Sequence, residues 1–268
     1  MTLKWINTLA FAAMVTVNAL ANLLPLGGNT TGQISEAYPN LFTPAPYTFA
    51  IWGLIYLMMA VFVLYQWELF DNGLFSADVR EDIGLWFAVS CVLNIGWLFL
   101  WHYKKIGLST LCIALLLVSL IVIGRRLNGA GGNLLQRLAA KGGFSLYLGW
   151  IIAATIANLA VFLTKIGWNG FGLSADLWTV AALLLGSVIA IAVVVFGGNT
   201  IAGFSILWAF AGILYRHISP AYLDCSHPFV IAAAVLGEIL LLTALCLPLL
   251  TLFLPESCSV AEKIKRPL

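Results

Sequence analysis

Charge is scarce in this chain: Asp, Glu, Lys and Arg make up 9% of its 268 residues, against about 25% in a soluble domain. With 62% of residues hydrophobic and a mean hydropathy of +1.01, too few polar side chains remain to cover a water-facing surface. The 13 Lys and Arg nearly balance the 11 Asp and Glu, giving a net charge of +2. They form no basic face interleaved with aromatic rings, so nucleic acid is not an expected partner. The 5 cysteines do not suggest a disulfide framework. Cys91, Cys112 and Cys246 fall inside apolar runs, Cys258 lies in a basic tail, and Cys225 has no partner on its side. His102, His217 and His227 stand at the ends of apolar runs or in loops, without paired Cys or Glu. That placement gives no metal-ligand spacing and predicts solvated or interfacial imidazoles. No Ser/His/Asp, Cys/His or paired-carboxylate arrangement falls within the apolar runs, so acid–base catalysis has no visible machinery and no metal or other cofactor is expected.

What the chain has instead is long apolar runs. A helix rises about 1.5 Å per residue, so about 20 residues cross the roughly 30 Å of hydrocarbon in a bilayer. Runs at 3–25, 47–69, 83–102, 106–123, 144–165, 177–197, 200–215 and 229–253 predict eight transmembrane helices, an all-α polytopic membrane bundle in contact with the lipid bilayer. Gly197-Gly198-Asn199-Thr200 leaves room only for a tight turn and predicts an antiparallel hairpin of the sixth and seventh helices. Lys4, Arg80, Arg125, Arg126, Arg137, Lys141, Lys263, Lys265 and Arg266 fall on one side of the bundle, and Lys104, Lys105, Lys165 and Arg216 on the other. The larger set marks the cytoplasmic side, which predicts a multi-pass protein of the cell membrane with both termini in the cytoplasm. The first run, with Lys4 ahead of it and Ala19-Leu20-Ala21 near its end, resembles a cleavable signal. Asn18 and Asn22, four residues apart on one helical face, predict instead a retained helix that turns its polar side inward.

Aromatic residues recur in stripes. Two prolines in Thr43-Pro44-Ala45-Pro46 fix the end of a loop, 26–46, long enough to cover a cavity, and a helix can begin directly behind them. On that helix Phe49, Trp52 and Tyr56 share a face, with Gly53 leaving room for something flat beside Trp52. The third helix carries Asn94, Trp97 and Trp101 at i, i+3 and i+7. The fifth repeats the pattern with Tyr147, Trp150, Ala154 and Asn158, while the fourth reads as packing. An amide in hydrocarbon must find a partner, so Asn94 turns into the bundle. Two readings stand side by side. The rings line a pocket for a flat ligand whose polar edge the amides bond, or they form an interfacial aromatic belt with the amides as helix–helix glue.

Thr43-Pro44 ahead of Phe49, Trp52 and Tyr56, then Leu93-Asn94 with Trp97, then Tyr147-Leu148-Gly149-Trp150 with Ala153, Ala154 and Asn158, resembles the tryptophan-rich sensory protein (TspO, translocator protein) family. The three motifs stand in the family's order and cover residues 1–165. The resemblance implies a five-helix membrane domain whose cavity opens toward the first loop and holds a small apolar ligand, such as a porphyrin or haem-like tetrapyrrole. It implies that Trp52 and Trp150 face that ligand and take part in a light- and oxygen-dependent porphyrin breakdown, and that Asn94 and Asn158 are the family's amides of the third and fifth helices. The family's double proline is Thr43-Pro44 here, and no Tyr follows on the fifth helix to complete the sterol-associated pattern. The expected role is therefore sensing, sequestration or transport of a tetrapyrrole.

Beyond 165 the motifs end, and 166–255 reads as an additional three-helix membrane region followed by a basic tail, 256–268. Glu238 falls near the middle of the last helix, where a carboxylate is costly unless paired, protonated or hydrated. The alternative function is accordingly a proton-coupled secondary transporter that uses all eight helices and Glu238. Gly27-Gly28-Asn29-Thr30 and Gly197-Gly198-Asn199-Thr200 echo each other, but the unequal distance from each to the next tryptophan argues against an inverted repeat. Gly and Ala on helix faces allow a homodimer.

Overall fold

A computed structural model describes residues 2–24, 26–67, 83–127 and 138–250. Helix α1 spans Thr2–Leu23, and a short helix α2, Thr31–Glu36, lies in the first loop. The long helices that follow are α3, Ile51–Gln66, entered through a 3₁₀ turn at Pro46–Ala50; α4, Trp86–His102; α5, Ile106–Leu127; and α6, Gly143–Lys165. Then come α7, Ala175–Ile191, extended by a π turn to Phe196; α8, Thr200–Ile218; and α9, Pro228–Leu250. Seven of these are long and apolar enough to cross a membrane, and Trp86–His102 is a shorter apolar helix. The described residues contain no strand, so the polytopic all-α bundle is the observed fold. The acidic loop Glu68 to Asp82, most of the basic loop after α5 and the tail lie outside the described residues, as do Arg80, Arg137, Cys258, Lys263, Lys265 and Arg266.

Local chemistry sets the helix ends. Pro46 at the first position of its turn lacks the N–H that a helix start leaves unpaired. Thr30 and Gln33 make a reciprocal capping box at α2. Ser174 caps α7 with Asp176 in its first turn, and Asn199 caps α8. The tight turn at 197–199 does reverse the chain, using Gly198 at a φ of +61°.

Packing follows two different rules. In the first five long helices, α4, α5 and α6 lie side by side, α1 rests on α4 and α3, and α3 on α6. Buried amides tie them. Asn18 Nδ2 donates to Asn94 Oδ1 at 2.7 Å, and Asn94 Nδ2 donates to the Tyr147 hydroxyl at 2.8 Å, linking α1, α4 and α6. The inward turn is thus met for Asn18 and Asn94, whereas Asn22 is exposed and donates back to the Asn18 carbonyl at 2.9 Å. Ser109 and Thr110 of α5, which the sequence presents as packing, donate to Asn158 Oδ1 at 3.3 and 2.8 Å.

The last three helices pack by close approach. A methyl on Gly237 of α9 would meet Ser187 Oγ at 2.7 Å and the Phe210 ring at 2.9 Å, and one on Gly186 would meet Phe210 at 3.0 Å. Although α7 and α8 are joined by the tight turn, α8 packs chiefly on α6 and α9, and α7 on α9. Gly149 of α6 lies so close to the Ala202 carbonyl that a methyl there would overlap it. Beside it Ser205 Oγ donates to the Leu146 carbonyl at 2.8 Å. That seam fixes α8 against the helix carrying Tyr147 and Trp150.

Candidate functional site

At the end of the bundle that bears the first loop, three helices direct rings to one place. The Trp52 ring stacks on Tyr56 at 5.5 Å and 20° and lies near Trp97 at 5.9 Å and 31°. Its edges meet Tyr147 at 5.7 Å and Trp150 at 6.1 Å. Phe49 meets Trp150 edge-on at 5.9 Å, and Trp97 stacks on Trp101 at 6.1 Å. Helical spacing brings each stripe to one face, and offset or edge-to-face contacts satisfy the ring quadrupoles. Trp97, Tyr147 and Trp150 are buried, while Trp52 is half-exposed to the space it lines.

Two spaces meet at this cluster. The first, about 520 Å³ with its open mouth included, is walled by Trp52, Trp97 and Trp101 and by the α6 face that carries Trp150, Ala153, Ala154 and Ala157. The second lies between α1 and α3, beside Gly53, and adds Asn18, Asn22 and Tyr56. No atom lies within 4 Å of where a Gly53 methyl would stand, so the expected room beside Trp52 is there. Phe49, Trp52 and Trp97 border both spaces. The buried Nε1 atoms of Trp97 and Trp150 have no hydrogen-bond partner, which leaves two donors unmatched beside an apolar space.

The two amides are placed differently from the rings. Asn94 is fully buried, and its Oδ1 and Nδ2 bond Asn18 and Tyr147. Asn158 lines the first space, but its side chain is bonded to Ser109 and Thr110. Asn94 thus holds the Tyr147 hydroxyl, and Asn158 ties α6 to α5. Glu238 does not line either space; its Oε1 is buried on α9 without a hydrogen-bond partner.

The first loop forms part of the wall through Thr31, Ser35, Phe42 and Pro44. On one flank Trp101 Nε1 donates to the Thr31 carbonyl at 3.1 Å, and Gly27, at a φ of +67°, lies close against the His102 carbonyl. On the other flank every anchor comes from α8. Trp208 Nε1 donates to the Thr48 carbonyl at 2.9 Å, and the Ala45 N–H donates to the Gly212 carbonyl at 3.0 Å. His217 Nε2 bonds the Leu41 carbonyl at 2.9 Å, and Arg216 pairs with Glu36 at 3.4 Å. Ala209 and Ile213 of α8 also line the first space. A wall made by the first five long helices alone is therefore incomplete, and α8 closes it. The expectation of solvated or interfacial histidines is corrected for two of the three. His102 and His217 are buried: His102 bonds the Leu98 carbonyl one turn back on its own helix, and His217 reaches across to the Leu41 carbonyl of the loop that covers it. His227 pairs with Asp176 at 2.9 Å.

Sequence reasoning found six of these rings but not Ala209, Ile213, Thr31 or Ser35. Small and aliphatic residues on an apolar helix carry no mark that separates a cavity wall from packing. Searches of curated proteins and of solved structures return no match. A family model described as TSPO-like protein matches residues 4–247, so the matched length includes α7 and α8 and nearly all of α9. The Trp52, Trp97 and Trp150 cluster, the covering loop and that match agree: the chain belongs to the TSPO-like protein family.

Proposed function

We propose that this TSPO-like membrane protein binds a flat, apolar ring ligand of the tetrapyrrole class among Phe49, Trp52, Tyr56, Trp97, Tyr147 and Trp150, for sensing, sequestration or transport. The observation that carries the reading is the position of Trp52, whose ring contacts four others from three helices while bordering both spaces. A planar ligand gains about 0.5–1.5 kcal/mol per aromatic contact beyond its buried area. The rings touch one another, so the ligand enters by parting them, and the space beside Gly53 gives Trp52 somewhere to move. The unmatched indole donors of Trp97 and Trp150, rather than the engaged amides of Asn94 and Asn158, supply hydrogen bonds to its edge.

The test is saturable quenching of tryptophan fluorescence by protoporphyrin in the detergent-purified protein, beside the Trp52→Phe/Trp150→Phe double variant. Quenching that saturates in the wild type and is lost or weakened in the variant supports the site; identical titrations remove these residues from it.

A second reading has one observation in its favour, the unpartnered buried Oε1 of Glu238 on α9. As a proton-coupled transporter the protein would show uptake driven by a pH gradient and lost in Glu238→Gln. Uptake indifferent to that substitution rejects the coupling role.

A further inference from the structure

No side chain lining the first space is charged. A charged group on the ligand must therefore be met beyond that lining, and Arg216 is a cation close to it in the fold. Ile213 of α8 lines the space, and Arg216 follows three residues later on the same helical face, one turn nearer the end of the bundle. Across the gap Ser35 of α2 lines the same space and Glu36 follows it. The Arg216–Glu36 pair thus joins α8 to the covering loop from residues next to that lining.

The geometry of this pair is incomplete. Arg216 Nη1 reaches Glu36 Oε1 at 3.4 Å, longer than the about 2.7–2.9 Å of a well-made charge-assisted bond. It is the one hydrogen bond that the Arg216 side chain makes among the described residues, although a guanidinium offers five N–H donors in a fork suited to two carboxylate oxygens. The side chain is nevertheless only 16% exposed, and the Tyr222 ring lies 5.4 Å from its Cζ, holding the cation in place. A mostly buried guanidinium with one long contact leaves most of its donor fork unused among the described residues.

We propose that Arg216 recognises a carboxylate on the edge of the ligand, and that Glu36 competes for it as an internal carboxylate. This rests on the cavity reading above and narrows the ligand to a flat apolar ring bearing a carboxylic acid. The ring lies among the tryptophans while the acid reaches the mouth. It also gives α8 a binding role besides holding the loop.

The test compares protoporphyrin IX with its dimethyl ester, which has the same ring but no charge, by fluorescence quenching of the full chain in a neutral detergent. Wild type is expected to prefer the acid by about tenfold, the worth of one hydrogen bond to a charged group. Arg216→Gln should erase that preference by weakening the acid alone, and Arg216→Lys, which keeps the charge without the fork, should retain part of it. Glu36→Gln should strengthen acid binding severalfold and leave the ester unchanged. If Arg216→Gln weakens both probes alike, or Glu36→Gln weakens the acid, the pair is a clamp on the loop and the proposal is overturned. If wild type binds neither probe saturably, the cavity reading itself falls, and this proposal with it.

Discussion

The first five long helices and the last three solve the same problem in different ways. In hydrocarbon there is no hydrophobic drive to bring helices together, so association depends on packing and interhelical hydrogen bonds. The α1–α6 portion uses the directional means: Asn18, Asn94 and Tyr147 in one chain of bonds, and Asn158 with Ser109 and Thr110 in another. Along its helices the α7–α9 portion uses the steric means, with Gly186 and Gly237 admitting Phe210, and Gly203 admitting Val194 and Leu245, and adds one directional bond at its end, His227 to Asp176. Directional bonds fix where a ring points, whereas close approach fixes only how near two helices come. The aromatic cluster sits in the portion that can aim its side chains, and the other portion buttresses it.

That contrast can be broken most severely at the seam. Gly149→Val places side-chain atoms against the Ala202 carbonyl and Ser205. Separating α6 from α8 should cost about 3 kcal/mol, the upper part of the range for overpacking, seen as a large fall in the detergent melting temperature. Next comes Asn94→Leu, which takes the partner from the Tyr147 hydroxyl and leaves the Asn18 amide only the Met14 carbonyl of its own helix. About 1–2 kcal/mol is expected, together with weaker quenching by protoporphyrin as Tyr147 loses its orientation. An equal melting temperature would show that directional bonds do not hold the first portion. Trp208→Phe keeps the ring and removes the bond to the Thr48 carbonyl; about 1 kcal/mol and faster ligand release in stopped-flow mixing should follow. The smallest effect sharpens the comparison. Ser187→Ala in α7 removes only a bond back to its own helix, at the Leu183 carbonyl, so stability should move by no more than about 0.5 kcal/mol. A larger loss would place directional bonding along the helices of the second portion too.

Much of this was legible in the sequence. The apolar runs mark the eight long helices within a few residues, because membrane thickness dictates length and composition together. The stripes at Phe49, Trp52 and Tyr56, at Trp97, and at Tyr147 and Trp150 find one another because a three- to four-residue spacing leaves little choice of face. Partnership across long separations was hidden. Nothing local in Trp208 or His217 indicates that they bond carbonyls of a loop some 160 to 176 residues away. Ser109 and Thr110 look like any hydroxyls in an apolar helix until Asn158 is set beside them. Ala209 and Ile213 are ordinary lipid-helix residues whose role is decided by what stands opposite.

Ala45 lies between Pro44 and Pro46, so that stretch of three residues owns a single backbone N–H, and its partner is the Gly212 carbonyl. A polypeptide ending after Lys165 would leave that amide and the Leu41 carbonyl without their partners and would expose the flank of α6 around Gly149. At the bundle end water can take over such backbone groups, so the larger loss is the close-packed seam at Gly149. Expressed alone, the motif-bearing segment would therefore be expected to aggregate or to recruit a stranger's helix.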